Sequence, residues 1–199
     1  MEKLELDIYD FDKTIVPFES GSKFLFYCAA HYPWVILYLP VVLVAGLLLV
    51  LKIISLKTFK HLFFYFAKFV PCEKAVKGFW DKYECEVNDW FINRKRKCVV
   101  ISASPDFLLQ EIAKRLGFDY LICTRYDKNI KIIGENCRDN EKVRRFKDEV
   151  ESKKDVFVVD VYSDSLKYDR PIFSLANGKC FNVVDKKLIP FDYIEKYGE

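Results

Sequence analysis

Between Trp34 and Leu51 the chain reads WVILYLPVVLVAGLLLVL, eighteen residues without a charge. As a helix rising 1.5 Å per residue this run is about 27 Å long, close to the hydrocarbon thickness of a bilayer. Its position restricts what it can do. A short apolar stretch with strand character, Leu4–Tyr9, precedes it, and its natural strand partners come about ninety residues later, after Lys95. Strands that share one sheet lie on one side of any membrane, so an odd number of crossings between them is forbidden. The aromatic segment Thr58–Val70 is short for a second crossing and carries Lys60, His61 and Lys68. Pro40, near the middle of the run, is expected to bend or break a helix. Two readings remain: a monotopic or re-entrant element that dips into lipid, or an apolar helix packed inside a soluble helical unit. From Lys52 to Val70 there are four Lys and no acid, which tilts the expectation towards an anionic membrane surface.

The rest of the chain reads as a catalytic scaffold. Gly21 to His31 is expected to be helical with Ser20 or Ser22 as cap, and Cys72 to about Arg94 forms a further amphipathic helix after Pro71. Beyond residue 97 the pattern alternates. Cys98–Ile101 is a strand and Pro105–Leu116 a helix stopped by Gly117, with Ser104 as N-cap and Pro105 in the first turn. Tyr120–Thr124 is a strand, Lys131–Ile133 a hairpin arm, Asn140–Glu151 a charged helix and Val156–Asp160 a buried strand. Cys180–Val184 is a last strand before a short hairpin. This alternation predicts an α/β fold, a Rossmann-like parallel sheet with helices on both faces. An all-helical insertion follows the first strand. The expected core is 1–16 and 96–199, and the expected insertion is 17–95.

The net charge of +3 lacks the dense basic stripe of a nucleic-acid binder, so no nucleic-acid partner is expected. Seven Cys, an odd number with no C-x-x-C pair, fit small core hydrophobes in a reducing, cytoplasmic setting. MEKLELD has no secretory h-region.

In open parallel sheets, ligands gather at the carboxyl ends of the strands. Here the first strand runs into Asp10 and Asp12, the Cys98–Ile101 strand into Ser102, and the Val156–Asp160 strand towards Asp164 and Asp169, with Lys142 in the helix opening at NCRDNEKVRRF. Converging carboxylates need a compensating cation, and hard oxygen donors beside a phosphate suit Mg²⁺. Lys142 and the Ser102 hydroxyl would hold phosphate oxygens, and Asp10 is placed to act as a nucleophile.

Four ordered motifs, DFDKT, ISASP, NCRDNEKV and YSDSLKYD, resemble those of the haloacid dehalogenase superfamily, in its phosphoserine-phosphatase-like branch with a helical cap. The resemblance implies that Asp10 attacks phosphorus to form an aspartyl-phosphate. Asp12 then protonates the leaving oxygen and later activates water. Ser102, Ala103 and Lys142 bind the phosphoryl group. Asp10, Asp164 and the backbone carbonyl of Asp12 ligate Mg²⁺, while Asp169 supports the metal shell or Lys142, with Thr14 as a further supporting residue. Glu19 occupies the place of a substrate-contacting acid. Two positions depart from the pattern. Ser163 stands where the family has Gly before the acid, and the segment around Gly134 and Asn136 leaves Lys131 as a substitute for Lys142. The apolar cap is similar to those of phosphatidylglycerophosphatase C enzymes.

The implied function is Mg²⁺-dependent phosphomonoester hydrolysis on a lipid-linked or amphiphilic phosphate, at the cytoplasmic face of a membrane. The alternatives are a phosphatase for a small soluble metabolite such as phosphoserine, and a catalytically silent membrane-associated binding module. Nothing in the sequence sets an oligomeric state.

Overall fold

Side chains along a strand alternate between the two faces of its sheet, and that alternation divides the interior into two layers. The computed structural model describes residues 3–198; Met1, Glu2 and Glu199, which the expected core segments include, lie outside the described residues. The strands are β1 (Leu4–Tyr9), β2 (Lys97–Pro105), β3 (Tyr120–Thr124), β4 (Val156–Ser163), β5 (Cys180–Val184) and β6 (Lys187–Phe191). They form one sheet in the order β3-β2-β1-β4-β5-β6, parallel throughout except for the antiparallel β5–β6 hairpin.

Leu6, Ile8, Val99, Ile101 and Ile122 face one layer. It is covered by α7 (Asn140–Phe146), continuing as a π-type turn over Lys147–Glu151, and by α8 (Arg170–Phe173). Tyr9, Cys98, Val100 and Cys123 face the other. There α6 (Asp106–Leu116) packs together with the segment between β1 and β2. That segment contains α1 (Ser20–His31), α2 (Leu39–Val50), α3 (Leu56–Phe64), α4 (Cys72–Tyr83) and α5 (Asp89–Ile92), with 3₁₀ turns between α1 and α2, α3 and α4, and α4 and α5. A short helix, α9 (Tyr193–Tyr197), follows β6.

The insertion is fastened to the sheet at several points. Phe79 and Trp80 of α4 are fully buried, and the Trp80 indole donates to the Leu108 carbonyl at 2.8 Å. Where the chain returns to the sheet, the Asn88 side-chain amide donates to Thr14 O and its backbone N–H donates to Ile15 O. Below the site, Arg96 bridges buried Asp7, at 2.8 Å, and Asp160.

Several local expectations are corrected by longer-range partners. Neither Ser20 nor Ser22 caps α1; Glu19 is the N-cap residue and makes no side-chain cap bond. β2 continues through Ser104, so Pro105 is the N-cap residue of α6 and Ser104 caps nothing. Pro40 does not break the apolar run. It lies in the first turn of α2, after a 3₁₀ segment over Pro33–Tyr38, where its missing N–H costs nothing. The 72–94 region is split into α4, a 3₁₀ turn and α5, and Lys131–Ile133 contributes only an isolated bridge between Ile132 and Tyr126.

The reading of the apolar run as a packed interior helix is also corrected. Pro33–Val50 has a mean hydropathy of 2.5, yet only 11% of it is buried. Leu37, Leu43 and Val50 are 82%, 73% and 77% exposed. The basic residues after it are less free than their composition implied. Lys57 and Lys68 donate to the Gly134 and Lys128 carbonyls, and Lys60 turns inward.

Candidate active site

Parallel strands direct their loops to one end of the sheet, and the expected residues collect there. Asp10 follows β1, with its backbone N–H donating to Tyr162 O of β4 at 2.9 Å. The chain then turns sharply: Lys13 has a φ of 54°, and Ile15 and Val16 both donate to Phe11 O. This turn puts Thr14 beneath the site. Its hydroxyl lies 3.4 Å from Asp10 Oδ2 and accepts the Asp164 N–H at 2.9 Å, so one residue ties the two acidic loops together.

Lys142, in the first turn of α7, is buried. Its ammonium lies 2.7 Å from Asp10 Oδ1 and 2.7 Å from Asp169 Oδ1. Burial works against its charge, but the two carboxylates outweigh it and hold the ammonium protonated. Lys131 does not line this pocket and is excluded as a substitute. Asp169 therefore holds Lys142. Its other oxygen accepts from Ser163 Oγ at 2.5 Å, so the serine standing in place of glycine supplies a hydroxyl to the network.

Carboxylate oxygens of Asp10, Asp164 and Asp169 lie within 4.8 Å of one another. Burial is the main cause that pushes Asp10 well above the ordinary carboxylate range, with Asp169 adding to it against the pull of Lys142. Asp164 is raised to about 6, first by burial and then by Asp169. Three clustered acids beside one ammonium leave an excess of negative charge, and hard oxygen donors of this kind suit a small divalent cation. The Asp12 carboxylate is not among them. It accepts from Ser104 Oγ at 2.5 Å and from the Ser20 N–H at 2.7 Å, which hold it apart from the cluster of Asp10, Asp164 and Asp169. Burial raises its pKa, against the hydrogen bonds from Ser104 and Ser20.

Ser102 is buried in the last part of β2, where its Oγ accepts the Ser104 N–H at 3.1 Å. Ala103 lines the pocket and its carbonyl accepts from Lys60 and Thr124. Glu19 sits at the rim, paired with Lys13 at 2.8 Å and half exposed. The pocket enclosed by these residues has a volume of about 360 Å³.

The profile of the haloacid dehalogenase-like hydrolases matches residues 8–174. The chain belongs to that family. A search of curated protein sequences finds no match. Among solved structures, the chain is similar to a protein of unknown function from Bordetella pertussis Tohama I, with a TM-score of 0.70 and 16% identity, covering 86% of each chain. It is also similar to a phosphoserine phosphohydrolase-like protein from Francisella tularensis, with a TM-score of 0.56 and 18% identity over 91% of this chain and 87% of that one. A phospho-aspartyl intermediate analogue of phosphoserine phosphatase gives a TM-score of 0.57 and 18% identity, with the same coverage of 91% and 87%. These likenesses establish a shared fold.

Lining this hydrolase pocket, Lys13, Leu56, Lys60, Asn136, Arg138, Ser165 and Tyr168 were not assigned to the site by the sequence reading, nor was the bond by which Ser104, behind the pocket, holds Asp12. Ser104 was visible in SASP, but its bond to Asp12 spans 92 positions. Lys60 is one cation among several in an aromatic helix, and no local pattern marks it as facing the sheet.

Proposed function

We propose that the protein is a Mg²⁺-dependent phosphomonoester hydrolase that works through an aspartyl-phosphate on an amphiphilic or lipid-linked phosphate. The observation that carries the chemistry is the cluster of Asp10, Asp164 and Asp169 around the Lys142 ammonium. Asp10 attacks phosphorus while Lys142 and Ser102 hold the phosphoryl oxygens, and the P–O bond to the leaving group breaks. Asp12, held in place by Ser104 and Ser20, gives its proton to the departing oxygen. The same carboxylate then takes a proton from the water that cleaves the acyl phosphate and regenerates Asp10. Asp10, Asp164 and the backbone carbonyl of Asp12 would hold Mg²⁺, which supplies charge neutralisation for the phosphate when bound.

The substrate class is supported by the exposed apolar run. β1 and β2 are hydrogen-bonded neighbours, so the segment between them returns to the side it left. Among the described residues only one helical segment is long and apolar enough to span. A single span is therefore topologically excluded, and lying in the interface satisfies both facts. The exposed tip is close to the chemistry. Ile53 is 66% exposed, and Leu56, three residues later, lines the catalytic pocket. Three extended residues reach at most about 11 Å. The seven cysteines, all free, suit the cytoplasmic face of the membrane.

The test is phosphate release with Mg²⁺ or with chelator, from vesicles containing phosphatidic acid and from soluble phosphoserine, for the natural protein and Asp10→Asn. Faster release from vesicles, lost in Asp10→Asn and with chelator, is expected. Preference for phosphoserine overturns the lipid assignment in favour of a soluble metabolite. No release from any phosphomonoester overturns the phosphatase reading and leaves a binding module.

A further inference from the structure

The lysines expected at a membrane surface are mostly taken by the protein itself. Of the four between Lys52 and Val70, Lys57, Lys60 and Lys68 donate to backbone carbonyls. Free ammoniums stand elsewhere in the insertion. α1 and α4 enclose a cleft of about 610 Å³ that shares no lining residue with the catalytic pocket. One wall is the Tyr27–His31 stripe of α1, with ring centroids 4.0 Å apart and Tyr27 O accepting from His31 Nδ1 at 2.8 Å. The other wall is a stripe of α4 on which Lys74 and Lys77 are one turn apart. Gly78 lets the walls meet, since a Cβ there would lie 2.4 Å from the Tyr27 hydroxyl.

Both lysines are exposed, and among the described residues neither ammonium has a hydrogen-bond or ion-pair partner. The acids that share the cleft do not cancel them. Asp81 is paired with Arg115 at 2.9 Å, so two free ammoniums face one free carboxylate, that of Glu73. The first turn of α4 forms this end of the cleft, and its N-cap residue, Pro71, supplies no side-chain bond. The positive end of the helix dipole therefore adds to the lysines.

The cleft adjoins the apolar run. Tyr32 lines it and packs edge-on against Trp34, ring centroids 5.6 Å apart, where the run begins. The half-exposed Trp34 indole donates at 2.7 Å to the carbonyl of Phe69, another half-exposed aromatic. Apolar helix, aromatic girdle and free lysines thus follow one another in the order that hydrocarbon, interface and headgroups take in a bilayer.

We propose that the α1–α4 cleft holds the anionic phosphodiester headgroup of a bilayer lipid, a lipid contact separate from the one that is hydrolysed. The inference rests on the membrane reading of the function above and supplies the charged partner that α2 lacks. Lys74 and Lys77 attract the headgroup phosphate, and Glu73 opposes them.

The experiment is flotation with vesicles of phosphatidylcholine, alone or mixed with phosphatidylglycerol, with chelator present to silence catalysis. The natural protein is expected to prefer the vesicles that contain phosphatidylglycerol. Lys74→Gln and Lys77→Gln together should lower affinity for those vesicles about thirtyfold, the worth of two lysines at an anionic surface. Glu73→Gln should raise it about threefold. Lys153→Gln and Lys154→Gln together remove the same charge from the layer on the other face of the sheet, and should lower it by less than about threefold. All five positions are exposed, so the fold is retained. Equal weakening by the two double variants overturns the proposal in favour of net charge alone. So does equal binding of both vesicle types by the natural protein, which leaves an apolar membrane contact without a headgroup site. Calorimetric binding of inorganic phosphate without lipid, lost in the Lys74–Lys77 variant, would assign the cleft to a free anion and overturn the lipid assignment. Failure to bind either vesicle is a different result, because it refutes the membrane reading itself and this inference with it.

Discussion

Replacing Leu43, Leu47 and Val50 together by Gln removes the outer apolar surface of α2 and leaves its buried residue, Ala45, in place. The three side chains are 73%, 59% and 77% exposed, together about two full apolar side chains open to water. Transfer of a Leu or Val side chain out of water is worth about 1.5–3 kcal/mol. Burial at an interface is incomplete, so the lower figure applies, and the triple variant loses about 3 kcal/mol of membrane affinity. That is a drop of about a hundredfold in partitioning. Gln matches Leu closely in helix propensity, and exposed substitutions change stability by about 0.5 kcal/mol or less, so the melting midpoint should hold. The assay is co-sedimentation with anionic vesicles across a lipid titration, run beside size measurement without lipid. The reasoning is refuted if the natural protein stays in the supernatant, or if the variant sediments at the same lipid concentration. Conversion of a dimer to a monomer by the three substitutions would assign the surface to a second copy of the chain.

Asp10→Asn should lower phosphate release by about three orders of magnitude or more. Its melting temperature without metal should not fall, because it removes one of three crowded carboxylates while Lys142 keeps Asp169. Arg96→Met should destabilise the fold by about 2–3 kcal/mol, since it leaves buried Asp7 without its cation, discounted for the partial exposure of Arg96. Thermal denaturation should show a fall of about 5–10 °C.

The strands were readable because their apolar runs are short, uninterrupted and bounded, and the acids at their ends were readable because a carboxylate is out of place there. Tyr120–Thr124 and Cys180–Val184 needed no tertiary information. What escaped the sequence depended on distant partners. Ser104 is a respectable N-cap by local rules, yet Asp12 and Ser20 claim its hydroxyl from across the sheet. Ser20 is likewise drawn inward and does not cap its own helix. The lysines of α3 look alike in sequence, but the docking of that helix turns Lys60 into the pocket and leaves Lys57 half exposed against Gly134 and Glu135. Hydropathy identified an unusual run; whether it would be covered depended on how many helices stood around it.

The placement of β1 has a further consequence for how the protein is made. Leu6 pairs with Lys97 on one side and Leu4 with Val156 on the other. The central strand therefore waits for partners synthesised long after it. Closing a loop of about ninety residues costs about 4 kcal/mol of chain entropy before any strand contact offsets it. At elongation rates of about 5–20 residues per second, the greasy helix is outside the ribosome for seconds before the sheet can close. On the proposed reading, the bilayer that receives this run would also shelter it through that interval and keep the nascent chain from sticking to itself.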